Sequence, residues 1–239
     1  TDFKYLRKRW KDNTEDERLL GVSLTGIMDS PLTNGRAYDD VEAGLEHTLT
    51  ELKKVAVETN KEWADAFGVP ASVAITCVKP SGTVSQLTDT ASGIHARHSD
   101  YYIRRVRGDM KDSLTKFLRE KAGVSFEYAI SGYQDIDETK PIYNENLGVF
   151  SFPVQAPINS VTRDDENAID QLKLWLSYYR HWCEHKPSIT VSVRDDEWLN
   201  VAAWVYDHFD EMSGISFLPY DGGKYVQAPY EKIEKEEYD

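Results

Sequence analysis

A short, β-branched apolar run at residues 72–78 (SVAITCV) stops at Lys79-Pro80 and passes straight into Ser81, Gly82, Thr83, Val84 and Ser85. So brief a run, rich in Val, Ile and Thr, reads as a buried strand rather than a helix. Proline cannot donate to a sheet ladder and keeps its predecessor out of the helical region, so the strand must end there. The small polar residues that follow have the composition of a helix start. A helix N-terminus reached from a strand through small residues points several N–H groups at one place, with a dipole that favours an anion. The spacing is therefore compatible with a phosphate held at residues 81–85. It is equally compatible with an ordinary N-cap and turn. The glycine pattern matches neither a P-loop nor a dinucleotide fingerprint.

The rest of the chain alternates strands with helices. Residues 18–27 read as a strand entered from a charged segment. Val41, Leu45, Leu49, Leu52, Val55 and Ala56 recur at helical spacing within 39–67, a helix closed by Gly68-Val69-Pro70. A helix over 109–122, with Leu114, Phe117 and Leu118 inward, stops at Gly123. Strands at 124–128 and 147–154 flank a polar loop, 131–146. Residues 162–183 form an amphipathic helix with Thr162 as N-cap and Ile169, Leu172, Leu176 and Tyr179 on its face. A strand at 188–193, a helix at 196–209 carrying Trp198, Val201, Ala202 and Val205, and a last strand at 214–219 precede an irregular exit. This order predicts one α/β domain spanning 1–239 with parallel strands.

Composition narrows the function. The net charge of −13 argues against direct nucleic-acid binding, because a phosphate backbone would be repelled over most of the surface. No apolar run approaches the roughly 18 residues of a membrane span, and no signal-peptide pattern is present, so the cytoplasm is the default. Cys77 and Cys183 are the only cysteines and make neither a disulfide framework nor a metal cluster. Cys77 falls inside the apolar run and Cys183 near a helix end, and packing is the expected role of both. Arg97, Arg104, Arg105 and Arg107 form a local basic cluster beside His95 and His98. It reads either as a lining for phosphates or as a solvated face paired with carboxylates. Neither histidine is assigned to a metal.

KPSGTVSQL followed by SGIHARHSDYYIRRVR resembles the substrate-phosphate loop of the adenosylcobalamin-dependent (class II) ribonucleotide reductases, of the monomeric ribonucleoside-triphosphate type. RLLGVSLTGIMD, GVFSFPVQAP, WCEHKPSITVSV and GISFLPYDGGKYVQAP resemble further stretches of that family in the family's order. The resemblance implies the C-terminal half of a ten-stranded α/β barrel. It implies that Pro80 shapes a turn in which Ser81, Gly82, Thr83, Val84 and Ser85 hold the substrate's phosphates. In the assembled enzyme it implies adenosylcobalamin as cofactor, a thiyl radical that activates the ribose, and a thioredoxin-like reductant.

The family's Asn-Pro-Cys-x-Glu finger loop, which carries the radical cysteine, does not occur here, nor does its redox-active cysteine tail. The expected partner is therefore an upstream half of the reductase, separate or spliced, and no catalytic residue is assigned to this chain. The start at Thr1 suggests a processed, spliced or bounded piece. Three alternatives stay open: a fragment of a class I large subunit, a non-catalytic orphan fragment, and an unrelated α/β transferase.

Overall fold

The computed structural model describes residues 2–135, 139–220 and 226–239. Thr1 and part of the exit after the last expected strand therefore lie outside the described residues. In chain order the elements are helix α1 (Lys8–Glu17), strand β1 (Val22–Ser23), a 3-10 turn (Ile27–Asp29), helix α2 (Val41–Phe67), strand β2 (Thr76–Cys77) and helix α3 (Val84–Leu87). Strand β3 (Tyr101–Asp109), helix α4 (Ser113–Glu120), and strands β4 (Ser125–Tyr133) and β5 (Pro141–Gln155) follow. Helix α5 (Ala168–His181), strand β6 (Ser188–Val193), helix α6 (Trp198–Asp207), strands β7 (Gly214–Pro219) and β8 (Tyr230–Lys232), and helix α7 (Lys235–Tyr238) complete the chain. The expected single domain resolves into two compact units, Thr1–Arg97 with Asn159–Tyr220, and His98–Ile158 with Asp221–Asp239.

The first unit has the expected parallel α/β character. β1 pairs with β2 and β6 with β7, both parallel. Strand β6 alternates as a half-buried strand should, with Ile189, Val191 and Val193 inward. Against them pack Leu172, Trp175, Leu176 and Tyr178 of α5, and Leu45 and Leu49 of α2. The buried aromatic donors are satisfied: Trp175 Nε1 donates to the Pro187 carbonyl at 3.2 Å, Trp182 Nε1 to the Cys77 carbonyl at 2.7 Å, and the Tyr178 hydroxyl to the Thr33 carbonyl at 2.8 Å. α2 opens on an Asp40 cap, whose carboxylate accepts the Ala43 N–H, and closes on Gly68 at φ +63°.

Several expected boundaries move. The strand expected at 18–27 shrinks to β1, because the chain turns at Gly26 (φ +69°) into the 3-10 turn. The strand expected at 72–78 keeps only β2 in its ladder. The helix expected from Thr162 begins six residues later in the sequence: Thr162 instead donates its N–H and hydroxyl to Asp165, closing a turn, while Asn167 and Asp170 form the capping box of α5. Of Trp198, Val201, Ala202 and Val205 on α6, Val201 alone is buried.

The second unit is antiparallel, with strand order β4-β5-β3-β8, which corrects the expectation of parallel strands throughout. Residues 131–146, expected as a polar loop, largely continue β4 and β5 as a hairpin. A solvated sheet face tolerates polar residues such as Asn144 and Glu145, which is why they read as loop. α4 also faces the other way. Gly108 and Gly148 are ladder partners on β3 and β5, and a Cβ on Gly108 would lie 2.5 Å from Thr115 Oγ1. Thr115 is thus the buried residue of α4, and Leu114 and Phe117 are exposed. No helix of the described residues is long and apolar enough to cross a membrane.

Candidate functional site

The turn after β2 is built from serines. The Lys79 N–H donates to Ser23 Oγ at 3.0 Å, which fixes the exit from the β1–β2 ladder just before Pro80. Ser85 is fully buried: its N–H donates to Ser81 Oγ at 3.1 Å and its hydroxyl donates to the Ser81 carbonyl. Ser92 adds a second hydroxyl to the same carbonyl at 2.8 Å, and its oxygen lies 3.1 Å from Ser85 Oγ. These bonds curl residues 81–85 tightly enough that α3 runs for one turn only.

What the turn offers outward is backbone. Gly82, Thr83 and Val84 are exposed, and among the described residues their N–H groups meet no acceptor. Gly82 is not demanded by its backbone angles, and a Cβ there would meet nothing within 4 Å. The Ser85 hydroxyl is spent on the Ser81 carbonyl and Ser92, while the Ser81 hydroxyl oxygen accepts the Ser85 N–H. Thr83 carries the exposed hydroxyl of the stretch.

The segment behind the turn is pinned by groups that sequence spacing did not bring forward. Thr25 Oγ1 accepts the Gly93 N–H at 3.0 Å. Gly93, at φ +57°, passes so close to the turn that a Cβ would lie 3.1 Å from the Lys79 carbonyl. Arg97 is buried and forks onto Asp29, with Nε to Oδ1 and Nη2 to Oδ2 both 2.9 Å, and it also holds the Asp89 carbonyl at 2.6 Å. The Asp29 carboxylate accepts the Ala91 N–H at 2.7 Å as well. His95 bridges the Ser92 carbonyl and the Thr190 N–H on β6.

The basic cluster divides accordingly. Arg97 is an internal clamp. In the second unit, Arg105 pairs with Glu231 and donates to the Ala228 carbonyl, Arg104 stacks over Tyr230, and Arg107 is exposed. His98 stacks on Tyr230. Cys183 is buried, and burial pushes its thiol up to about 12, so the thiolate that redox chemistry needs is not populated near neutrality. Among the described residues no group of three His, Cys, Asp or Glu side chains is placed to hold a metal ion.

A cavity of about 660 Å³ in the first unit has a mixed lining: Glu42, Glu46, Asp165, Glu166 and Asp170 stand beside Arg36, Lys173 and Arg180, and no residue of the serine turn lines it. Burial, with Asp170 nearby, pushes the Glu166 carboxyl up to about 8.

No family profile matches the chain. It is 28% identical over 93% of its length to an adenosylcobalamin-dependent ribonucleoside-triphosphate reductase of Lactobacillus gasseri, covering 31% of that protein. It is 30% identical over 96% of its length to a reductase of the same name from Euglena gracilis, covering 30% of it. The crystal structure of a B12-dependent (class II) ribonucleotide reductase superposes with a TM-score of 0.76 at 25% identity, over 95% of this chain and 33% of the other. The chain thus spans about a third of the length of the relatives it matches. The α/β class and the resemblance read from the sequence are both borne out.

Proposed function

We propose that this chain, a homologue of one third of the adenosylcobalamin-dependent ribonucleoside-triphosphate reductases, supplies the substrate-phosphate turn of such an enzyme. The supporting observation is the run of exposed residues Gly82, Thr83 and Val84, whose N–H groups meet no acceptor among the described residues, on a turn held by the Ser81–Ser85–Ser92 bonds. Backbone donors fixed before the ligand arrives need no reorganisation to meet an oxyanion. Pro80 sets the direction of the turn, Thr83 adds a hydroxyl, and Ser81 and Ser85 contribute by shaping it. The substrate in this reading is a ribonucleoside triphosphate, reduced to the deoxyribonucleotide in the assembled enzyme.

Two partners follow from the same reading. The radical-bearing Asn-Pro-Cys-x-Glu loop is absent from this sequence, so the remaining part of the reductase, separate or spliced, must provide it. A thioredoxin-like reductant would restore the cysteines that part carries. Adenosylcobalamin, when bound to the assembled enzyme, supplies radical initiation. The cavity lined by Glu42, Glu46, Asp165, Glu166 and Asp170 carries Arg36, Lys173 and Arg180 as well, and this mixed lining does not single it out as the cofactor's seat. No residue of this chain is assigned to the cofactor. The name shared by the relatives favours this reading over a class I large-subunit fragment.

Thr83→Asp tests the turn directly. A carboxylate set against a phosphate should weaken nucleoside-triphosphate binding by about 1–3 kcal/mol, roughly five- to 150-fold. Substrate titrations of the reconstituted enzyme should show this mainly in KM. Superimposable titration curves for variant and parent would sink the assignment.

A further inference from the structure

His95 lies between the serine turn and the sheet, and its hydrogen bonds define its state. The Thr190 N–H can only donate, so the His95 Nε2 it reaches at 3.1 Å must be an unprotonated acceptor. The proton is then on Nδ1, which donates to the Ser92 carbonyl at 3.1 Å. Ser92 in turn donates its hydroxyl to the Ser81 carbonyl. An unbroken path of contacts runs from β6 through a neutral imidazole to the residues that curl the turn.

The geometry points to His95 as a positioning residue for the phosphate turn: neutral, it fixes Ser92 and through it the N–H groups of Gly82, Thr83 and Val84, and protonated, it releases them. This inference rests on the proposed reading of the turn as the phosphate site. Protonation would set an Nε2–H against the Thr190 N–H, two donors face to face, and the bridge to β6 would open. The Ser92 carbonyl would keep the Nδ1–H and the His95 N–H, so what is lost is the tie of the Ser92–His95 turn to β6, and with it the register of Ser92 against the Ser81 carbonyl.

The surroundings oppose a cation at this position. Around His95 the charged and titratable groups are Arg163 and Glu166 ahead of α5, Arg194 after β6, and Tyr220 after β7, while β6 contributes Thr190 and Ser192 and α5 contributes Gln171. Arg163 and Arg194 both stack on the Tyr220 ring, at 4.8 and 5.0 Å, which keeps two guanidinium groups near the imidazole. Burial lowers the His95 pKa from its ordinary value, and the Ser92 carbonyl, which favours the cation, offsets this only in part. Burial therefore favours the neutral imidazole, and the turn loosens only on acidification past the range where an ordinary histidine titrates.

The test compares the parent chain with His95→Gln and His95→Ala by amide NMR, with inorganic triphosphate as the probe. Glutamine keeps an acceptor for the Thr190 N–H but does not titrate. Without ligand, acidification should shift the Gly82, Thr83, Val84 and Thr190 amides together in the parent and leave them steady in His95→Gln. With triphosphate, affinity between about pH 7.5 and about pH 5 should fall about tenfold more in the parent than in His95→Gln. That comparison cancels the ligand's own protonation. His95→Ala should bind weakly at every pH.

Identical acid profiles in the parent and His95→Gln would overturn the role of His95. Linked amide shifts without any response to triphosphate would uphold the path from His95 to the turn, and would overturn the phosphate reading instead. Should His95→Ala fail to fold, the parent and His95→Gln profiles still decide the matter.

Discussion

Asp29 takes two bonds from Arg97 and one from Ala91, and so fastens the segment behind the serine turn to the turn after β1. Nothing in the sequence marks it, because the pair is 68 residues apart and Arg97 stands among other arginines that read as one cluster. A buried bidentate pair looks the same in sequence as a solvated one; burial is what separates them. Glu166 is hidden for the same reason. Its carboxyl is pushed up to about 8 chiefly by burial, so across the window from about 4.5 to about 8 the folded state keeps a proton that the unfolded chain has lost. Stability contributed there falls as pH rises through that window. Glu166→Gln cannot ionise, so its melting temperature should match the parent near pH 4.5 and exceed it by about 3 °C or more above pH 8. Melting curves at both ends of the window decide this, and a constant offset would refute the shifted carboxyl.

At the scale of elements, the sequence was most legible where a single physical rule dominated. β6 and β7 appear at 188–193 and 214–219 as expected, since alternating apolar residues and flanking Pro187 and Gly214 leave little choice. β3 was harder, because four charged residues among nine read as a binding surface rather than a strand paired on both sides. The β4–β5 hairpin was harder still. Its register shifts after Tyr128 and again after Ile130, and no local pattern announces a bulge. Gln227 repairs the first break: its Oε1 accepts the Ile130 N–H at 2.9 Å and its Nε2 donates to the Tyr128 carbonyl at 2.9 Å. The side chain comes from 97 residues away and is buried at φ +56°, which explains why it looked like part of an irregular exit. Gln227→Ala should strand both backbone groups and destabilise the second unit by about 2 kcal/mol. Hydrogen exchange at the Ile130 amide should accelerate accordingly; unchanged protection would mean that the bulge satisfies itself.

For the whole molecule, the periodicity of α2 carries information that the chain alone does not use. Leu45 and Leu49 are buried as expected, yet Leu52 and Val55 are exposed, and beyond them Trp63 and Phe67 stack on each other at 5.4 Å while 55% and 70% exposed. Single exposed apolar residues are ordinary, and Ala64 is buried on the same helix, but an outer face that carries Val55, Trp63 and Phe67 into solvent suits a larger body. The relatives are about three times the length of this chain, and the proposed reading requires their radical-bearing portion as a partner. The six tryptophans report on it. Trp175 and Trp182 are buried and already shielded, whereas Trp63 is open to solvent. Acrylamide should therefore quench Trp63 readily in the isolated chain, read in a variant where Trp10, Trp198 and Trp204 are replaced by Phe. Adding the polypeptide that carries Asn-Pro-Cys-x-Glu should suppress that quenching and shift the emission to the blue, with Trp175 and Trp182 unchanged. Equal quenching with and without that polypeptide would show that the outer half of α2 stays in water, and that its apolar spacing serves no assembly of this kind.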